Sequence, residues 1–134
     1  MQRASILLAD DNSAVLNHVA KTLEEDYDIV ATMKDGASVL RDGPRLRPDV
    51  IVLDISMGEP NGIDVARQLR DSGCDSKIIF LTVHQDPDFV RAALGAGASG
   101  YVIKSRLGLD LVSAIHAALA GKLFVSAPLL YEQE

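Results

Sequence analysis

Four apolar β-formers in succession, Val50-Ile51-Val52-Leu53, run directly into a carboxylate, Asp54. A strand with no polar alternation has no face to give to water, so it belongs in the middle of a parallel sheet with helices above and below. Beyond Asp54 the chain turns through Ile55-Ser56-Met57-Gly58-Glu59-Pro60-Asn61-Gly62. The carboxyl ends of strands are where open α/β sheets bind their ligands. A single aspartate there serves equally well as a cap for the loop, so the meaning of Asp54 depends on the other strands.

Those strands repeat the pattern. Ser5-Ile6-Leu7-Leu8-Ala9 reads as a strand ending on Asp10-Asp11-Asn12, and Val15, Val19 and Leu23 then recur at helical spacing. Asp11 or Asn12 can cap that helix by accepting from its free N–H groups. Tyr27 to Thr32 is a weaker second strand. Asp35-Gly36 opens a short helix through Leu40, which Arg41-Asp42-Gly43-Pro44 ends. Arg41, Arg45 and Arg47 read as solvated loop beside Asp42 and Asp49. Asn61-Gly62 starts a helix carrying Ile63, Ala66 and Leu69, and Ser72-Gly73 stops it. Lys77 to Thr82 is a buried strand ending on a hydroxyl. Asp86-Pro87-Asp88 starts a short helix with Phe89, Ala93 and Leu94, closed by Gly95-Ala96-Gly97. Ser99 to Lys104 is a fifth strand, ending on an amine. The last helix has Leu111, Ile115 and Leu119 on one stripe and stops at Gly121.

Five strands alternating with five helices predict a doubly wound, flavodoxin-like (βα)5 fold. Its five-stranded parallel sheet has the order 2-1-3-4-5, with helices on both faces. The first and third strands are neighbours in that order, and their ends form the switch-point crevice. Asp10, Asp11 and Asp54 are thereby brought together, with Thr82 and Lys104 arriving from the next two strand ends.

Three carboxylates in contact repel; at an effective dielectric near 20 each pair at ~4 Å costs about 4 kcal/mol. Such a cluster must take up protons or bind a cation, and an oxygen-only donor set without His or Cys favours Mg²⁺. Mg²⁺ keeps waters and takes one or two carboxylates plus a phosphate oxygen, so the site is open to phosphate. Lys104 supplies a point charge and Thr82 a hydroxyl. Asp54 is the natural nucleophile, since a carboxylate can accept a phosphoryl group. Each residue also has a plain structural use, as cap, strand end or solvated terminus. Their convergence on four core strands does not.

Composition narrows the remaining possibilities. A chain of 134 residues, 48% hydrophobic, fits one domain with a full core. The one cysteine, Cys74 beside Gly73 and Asp75, forms no internal disulfide and reads as a loop thiol in a reducing, cytoplasmic setting. No apolar run approaches the roughly 20 residues that span a bilayer, and Met1-Gln2-Arg3 leads straight into a strand rather than a signal peptide. The net charge of −6 and the absence of tryptophan argue against nucleic-acid binding by this segment. No membrane contact is expected.

From about Ser5 to Ala120 the chain resembles the receiver domain of bacterial two-component response regulators. The residues that carry the resemblance are Asp10-Asp11, Asp54 with Met57 and Gly62 downstream, Thr82, Tyr101 and Lys104. The stretches Leu81 to Asp86 and Gly97 to Tyr101, and the tail Gly121 to Pro128, look most like the NarL/FixJ subgroup, whose members carry a LuxR-type helix-turn-helix after such a tail. The resemblance implies that Asp54 takes a phosphoryl group from a phosphohistidine on a sensor histidine kinase. It implies that Asp11, Asp54 and the Ser56 backbone carbonyl ligate Mg²⁺, that Asp10 acts directly or through water, and that Lys104 holds the phosphoryl group. Thr82 and Tyr101 would be the switch pair, the tyrosine swinging from a wet position into a buried one on phosphorylation. Val83 and His84 would roof the phosphoryl site. Residues 1–121 would be the receiver and 122–134 the start of a linker. DNA would be bound only through an output domain absent from this chain. A homodimer would use the last two helices and the fifth strand.

Three positions depart from the family pattern. Gly58 stands where proline usually follows the central-loop methionine, with Pro60 further on and Glu59 adding a negative charge. Ser105 follows Lys104 where many receivers have a cis proline; a cis bond without proline costs about 2.5–4 kcal/mol, so trans is expected. Val83 replaces the usual small residue after the switch threonine. His18 and His116 read as solvated and Met57 as loop packing. Two other functions fit parts of the pattern. A Mg²⁺-dependent phosphatase would need a second acid two residues after the nucleophile, where Ser56 stands, and a substrate pocket. An interaction module that is never phosphorylated would not need the complete set of acids, Thr82 and Lys104.

Overall fold

The computed structural model describes residues 3–126. The continuous apolar runs become β1 (Ser5–Ala9), β3 (Val50–Leu53), β4 (Lys77–Thr82) and β5 (Gly100–Ile103), while β2 (Asp28–Met33) alternates exposed and half-buried residues as an edge strand does. All pairings are parallel, in the order β2-β1-β3-β4-β5-β6. The helices are α1 (Ser13–Leu23), α2 (Gly36–Leu46), α3 (Gly62–Asp71), α4 (Pro87–Gly95) and α5 (Leu107–Leu119). Strand alternation divides the core in two. Ile6, Leu8, Val52, Leu81 and Val102 pack under α1 and α5; Leu7, Ile51, Leu53, Phe80 and Tyr101 pack under α2, α3 and α4. The doubly wound architecture is as expected, with one strand more.

That strand is β6 (Phe124–Val125), which pairs with β5 in the register Gly100↔Phe124 and Tyr101↔Val125. After α5, Gly121 adopts φ 78 and turns the chain back along the sheet edge. Two residues are too few to show a period, so the stretch read as linker. Residues 127–134 of that expected linker lie outside the described residues.

Three helix details differ from the sequence reading. Helix α2 does not stop at Leu40 but continues through Gly43 and Pro44 to Leu46, closed by Arg47 in the left-handed region at φ 51. Proline disfavours helical backbone in the preceding residue largely through that residue's Cβ, and Gly43 has none. Gly43 is buried, facing Val39 and Leu7. Arg41 and Arg45 are therefore helical, not loop, and pair with Asp42 at 3.2 and 2.8 Å on an exposed face. In α1 Leu16 joins Val19 and Leu23 in the core while Val15 packs half-buried at its edge, and Asn12, one of the two expected caps, is the N-cap. In α5 the core stripe is Leu111, Ala114, Ile115 and Ala118, and Leu119 is exposed.

The loop after β3 is shaped by Gly58 at φ 83 and a cis Glu59–Pro60 bond, and Glu59 is exposed. Lys104–Ser105 is trans, as expected, and begins a single 3-10 turn, Lys104–Arg106, that leads into α5. No helix among the described residues is long and apolar enough to cross a membrane.

Candidate functional site

Because β1 and β3 are neighbours but their crossovers leave in opposite directions, their carboxyl ends open a crevice at the sheet's centre. Asp10 follows β1 and Asp54 follows β3; both are buried at 3% exposure, while Asp11 is exposed. One carboxylate oxygen from each of Asp10, Asp11 and Asp54 lies within 4.8 Å of the others. Lys104, delivered by the end of β5, places Nζ 2.7 Å from Asp10 Oδ2 and 3.5 Å from Asp54 Oδ2. Four of the five residues named from sequence for phosphate chemistry therefore converge.

Backbone amides hold the two buried acids in place. Asn12 N–H donates to Asp10 Oδ1 at 2.9 Å, and Ser56 N–H donates to Asp54 Oδ1 at 3.2 Å. Asp10 Oδ2 is buried, and its partner is the Lys104 ammonium at 2.7 Å. Burial, and then the neighbouring Asp10 charge, push Asp54 up to about 6, against the opposing pull of Lys104 and the Ser56 amide. For Lys104, burial alone would lower the pKa, but Asp10 and Asp54 outweigh it and hold the amine above its ordinary value. An acid that resists ionisation, set among two further carboxylates in an oxygen-only donor set, fits a hard divalent cation.

These shifts have a consequence for stability. A native-state pKa raised from 3.8 to about 6 means that the fold binds this proton more tightly than the unfolded chain does. Stability is therefore lost as pH rises from about 4 to 6, and the loss is complete above 6. Each pH unit is worth about 1.4 kcal/mol, so the ionised Asp54 costs the metal-free fold at most about 3 kcal/mol. In EDTA, Asp54→Asn should be more stable than wild type at pH 7 by on the order of 1–3 kcal/mol, and the gap should close by about pH 4. Urea titrations at the two pH values measure it; a gap that does not depend on pH contradicts the assignment.

The second half of the site lies over β4. Thr82 is fully buried, and its Oγ1 accepts from His84 N–H at 3.1 Å. The His84 ring stacks on Phe89 with centroids 4.1 Å apart, and its Nε2 is 2.7 Å from Ser56 Oγ. The Tyr101 hydroxyl donates to the His84 carbonyl at 2.8 Å. His84 thus joins the loops after β3 and β4 and touches both expected switch residues. Val83 is 64% exposed and stands largely in solvent, leaving His84 as the residue that closes over Ser56. Tyr101 occupies the buried of its two expected positions. Its ring is fully buried, and burial followed by the Asp86 charge pushes its hydroxyl up to about 12, so it remains a donor. The Ser56–His84 contact was missed from sequence, although each stands two residues past a polar strand-end residue.

A surface hollow of about 420 Å³ lies at the opposite end of the sheet, beside Asp49, Cys74 and Lys77. Beside the carboxylate cluster a second hollow of about 370 Å³ runs between the starts of α1 and α5, lined by Asn12, Val15, His18, Lys104, Ser105 and Leu107 among others.

Comparison with known proteins agrees with this geometry. Residues 6–116 match the family model described as the response regulator receiver domain. A curated relative, the transcriptional regulatory protein YvfU of Bacillus subtilis, is 34% identical over 128 residues, 94% of this chain. The chain spans 64% of YvfU's length. The crystal structure of a LuxR-family two-component response regulator from Aurantimonas sp. SI85-9A1 superposes with a TM-score of 0.90 at 35% identity, covering 96% of this chain and 93% of that one. The isolated REC domain of RcsB from Salmonella enterica, solved with the phosphomimetic BeF3⁻, superposes with a TM-score of 0.87 at 27% identity, covering 96% of each.

Proposed function

The chain belongs to the response regulator receiver family, a family of signalling domains, and from that premise we propose that Asp54 accepts a phosphoryl group from a phosphohistidine on a sensor histidine kinase. A carboxylate oxygen of Asp54 attacks phosphorus, the P–N bond breaks, and the imidazole recovers its electron pair. Lys104 balances charge on the transferred group, and the Ser56 amide holds the acceptor's other oxygen. Asp10, Asp11, Asp54 and the Ser56 carbonyl would hold Mg²⁺, which would supply further neutralisation of the phosphoryl oxygens. The observation that carries this reading is the meeting of three acids and one lysine at the switch point.

The hollow beside Lys104 opens the site between the starts of α1 and α5, the side from which the donor histidine would approach. Signalling onward runs through His84. A Thr82 hydroxyl that turns to donate to the phosphoryl group draws on the His84 amide it now holds, and with it the carbonyl that anchors Tyr101. The change reaches α4 through Phe89. His84 over Ser56 also obstructs water, so it sets the rate of self-dephosphorylation. The exposed apolar residues Leu109, Val112 and Leu119 favour a homodimer through α5 rather than through the β5 edge, which β6 covers. Residues 122–134, apart from β6, would lead to an output domain that binds DNA and controls transcription; the relative's name and the share of its length matched support this.

The chain incubated with acetyl phosphate and Mg²⁺ should gain the mass of one phosphoryl group, and should gain none in EDTA. Equal labelling in EDTA would remove the metal from the mechanism. Thr82→Ala should still take the label yet lose the change in hydrogen exchange across residues 86–106; an unaltered response in that variant excludes Thr82 as the relay.

A further inference from the structure

A second buried polar cluster stands behind Lys104, where the family match has already ended. Ser126 lies ten residues past residue 116, the last matched, and is fully buried. Its hydroxyl accepts from the Ile103 N–H at 3.1 Å and donates to Asp110 Oδ2 at 2.7 Å. Asp110, 7% exposed, also receives Arg106 Nε at 2.8 Å. The Ser126 amide donates to the Tyr101 carbonyl at 2.9 Å. A serine hydroxyl has one proton to give, and here that proton and an acceptor lone pair are both used.

These bonds grip the two ends of one short turn. Ile103 is the residue before Lys104, and Arg106 closes the 3-10 turn that Lys104 begins. The turn has no side-chain cap, and Ser105 lacks the fixed φ that a proline would impose. Within the turn a single backbone bond, from the Leu107 N–H to the Lys104 carbonyl, ties the lysine, and the flanks supply the rest of the hold. We propose that Ser126 and Asp110 are positioning residues for Lys104, holding the Lys104–Arg106 turn so that the ammonium faces the carboxylate cluster. The inference rests on the proposed role of Asp54 as phosphoacceptor. Because coupling is reciprocal, a pull on the chain beyond Ser126 loosens the lysine, and a phosphoryl group that draws Lys104 inward strains the hold on Ser126.

Labelling of the 134-residue chain by acetyl phosphate in Mg²⁺ tests this. Ser126→Ala should slow labelling about fivefold, the factor that one lost buried hydrogen bond is worth. The loss should appear in the rate at saturating donor rather than in the half-saturating concentration. Asp110→Asn, which keeps the side-chain volume, should slow it similarly should Ser126→Ala fold poorly. In a Lys104→Ala background neither substitution should slow the residual reaction further, since contacts that act through one residue are not additive with its loss. Wild-type rates in both variants, or the same fivefold loss without Lys104, would overturn the positioning role and leave Asp54 standing as acceptor. A wild-type chain that takes no label overturns the acceptor reading and this inference together.

Discussion

Asp54→Asn is expected to take up no phosphoryl group from acetyl phosphate under conditions in which the wild-type chain is labelled. An amide nitrogen or oxygen is too weak a nucleophile to replace the carboxylate, so the effect is a loss rather than a reduction. The variant should not be unfolded. Asn has the shape of Asp, its amide oxygen can still accept from the Ser56 N–H, and it removes one of the mutually repelling charges. Loss of labelling together with unchanged or raised stability is therefore the signature. Asp10 and Asp11 compete for the role only by proximity. Asp10 is paired with Lys104 at 2.7 Å and held by the Asn12 amide, which leaves Asp54 the acid with the looser ammonium contact, at 3.5 Å. Intact-mass analysis of the variant decides the matter, and an adduct of wild-type yield would move the acceptor to another residue.

Gly62→Ala should be the most damaging of the glycine-to-alanine substitutions. A Cβ at that position would stand 2.2 Å from the Asp54 carbonyl oxygen and 2.8 Å from Ile55 Cα, both backbone atoms. Neither can rotate away, because Asp54 N–H is tied to Ala9 O at 2.9 Å and Gly62 N–H to Ile55 O at 2.8 Å. The loop after β3 must therefore move as a piece, at a cost of about 3 kcal/mol, the upper end of what overpacking exacts. That movement carries Asp54 with it, so labelling should fall as well as stability. Gly95→Ala is the control. It lies in α4 with nothing within 4 Å of its Cβ position, and it should be neutral or slightly stabilising. Urea denaturation of the two variants gives the comparison; equal stabilities would mean that the loop yields more readily than its hydrogen bonds imply.

The central strands, the polar residue at the end of each and most helix starts were legible in the sequence for local reasons. An unbroken run such as Val50 to Leu53 has no use outside a doubly covered sheet, and Asn61 before Gly62 or Asp86 before Pro87 satisfies free helix N–H groups whatever lies nearby. Three features were not legible, each because packing outweighs the signal read along the chain. Helix α2 runs through Pro44 because a glycine precedes it and packs against Val39 and Leu7. β6 is two residues long and exists only because the edge of β5 is free to receive it. Leu119 carries a core residue's side chain but is exposed, since small Ala114 and Ala118 bring α5 close to the sheet on the other stripe.

The functional site divides along the same line. Residue types and their positions at strand ends pointed to phosphate chemistry and to a hard cation, because charge and donor character belong to the side chain itself. Distances belong to the fold. Only the pairing of β1 with β3 brings Asp10 within reach of Asp54, and only the packing of β5 against β4 delivers Lys104 to both. The buried Tyr101 ring, the His84 bridge to Ser56 and the hold of Ser126 on Asp110 were likewise decided in three dimensions. The sequence determines which groups can react, since that is covalent chemistry; the tertiary structure determines which of them meet, since hydrogen bonds and ion pairs act only across a few ångströms and the chain's own spacing says little about who lies that close.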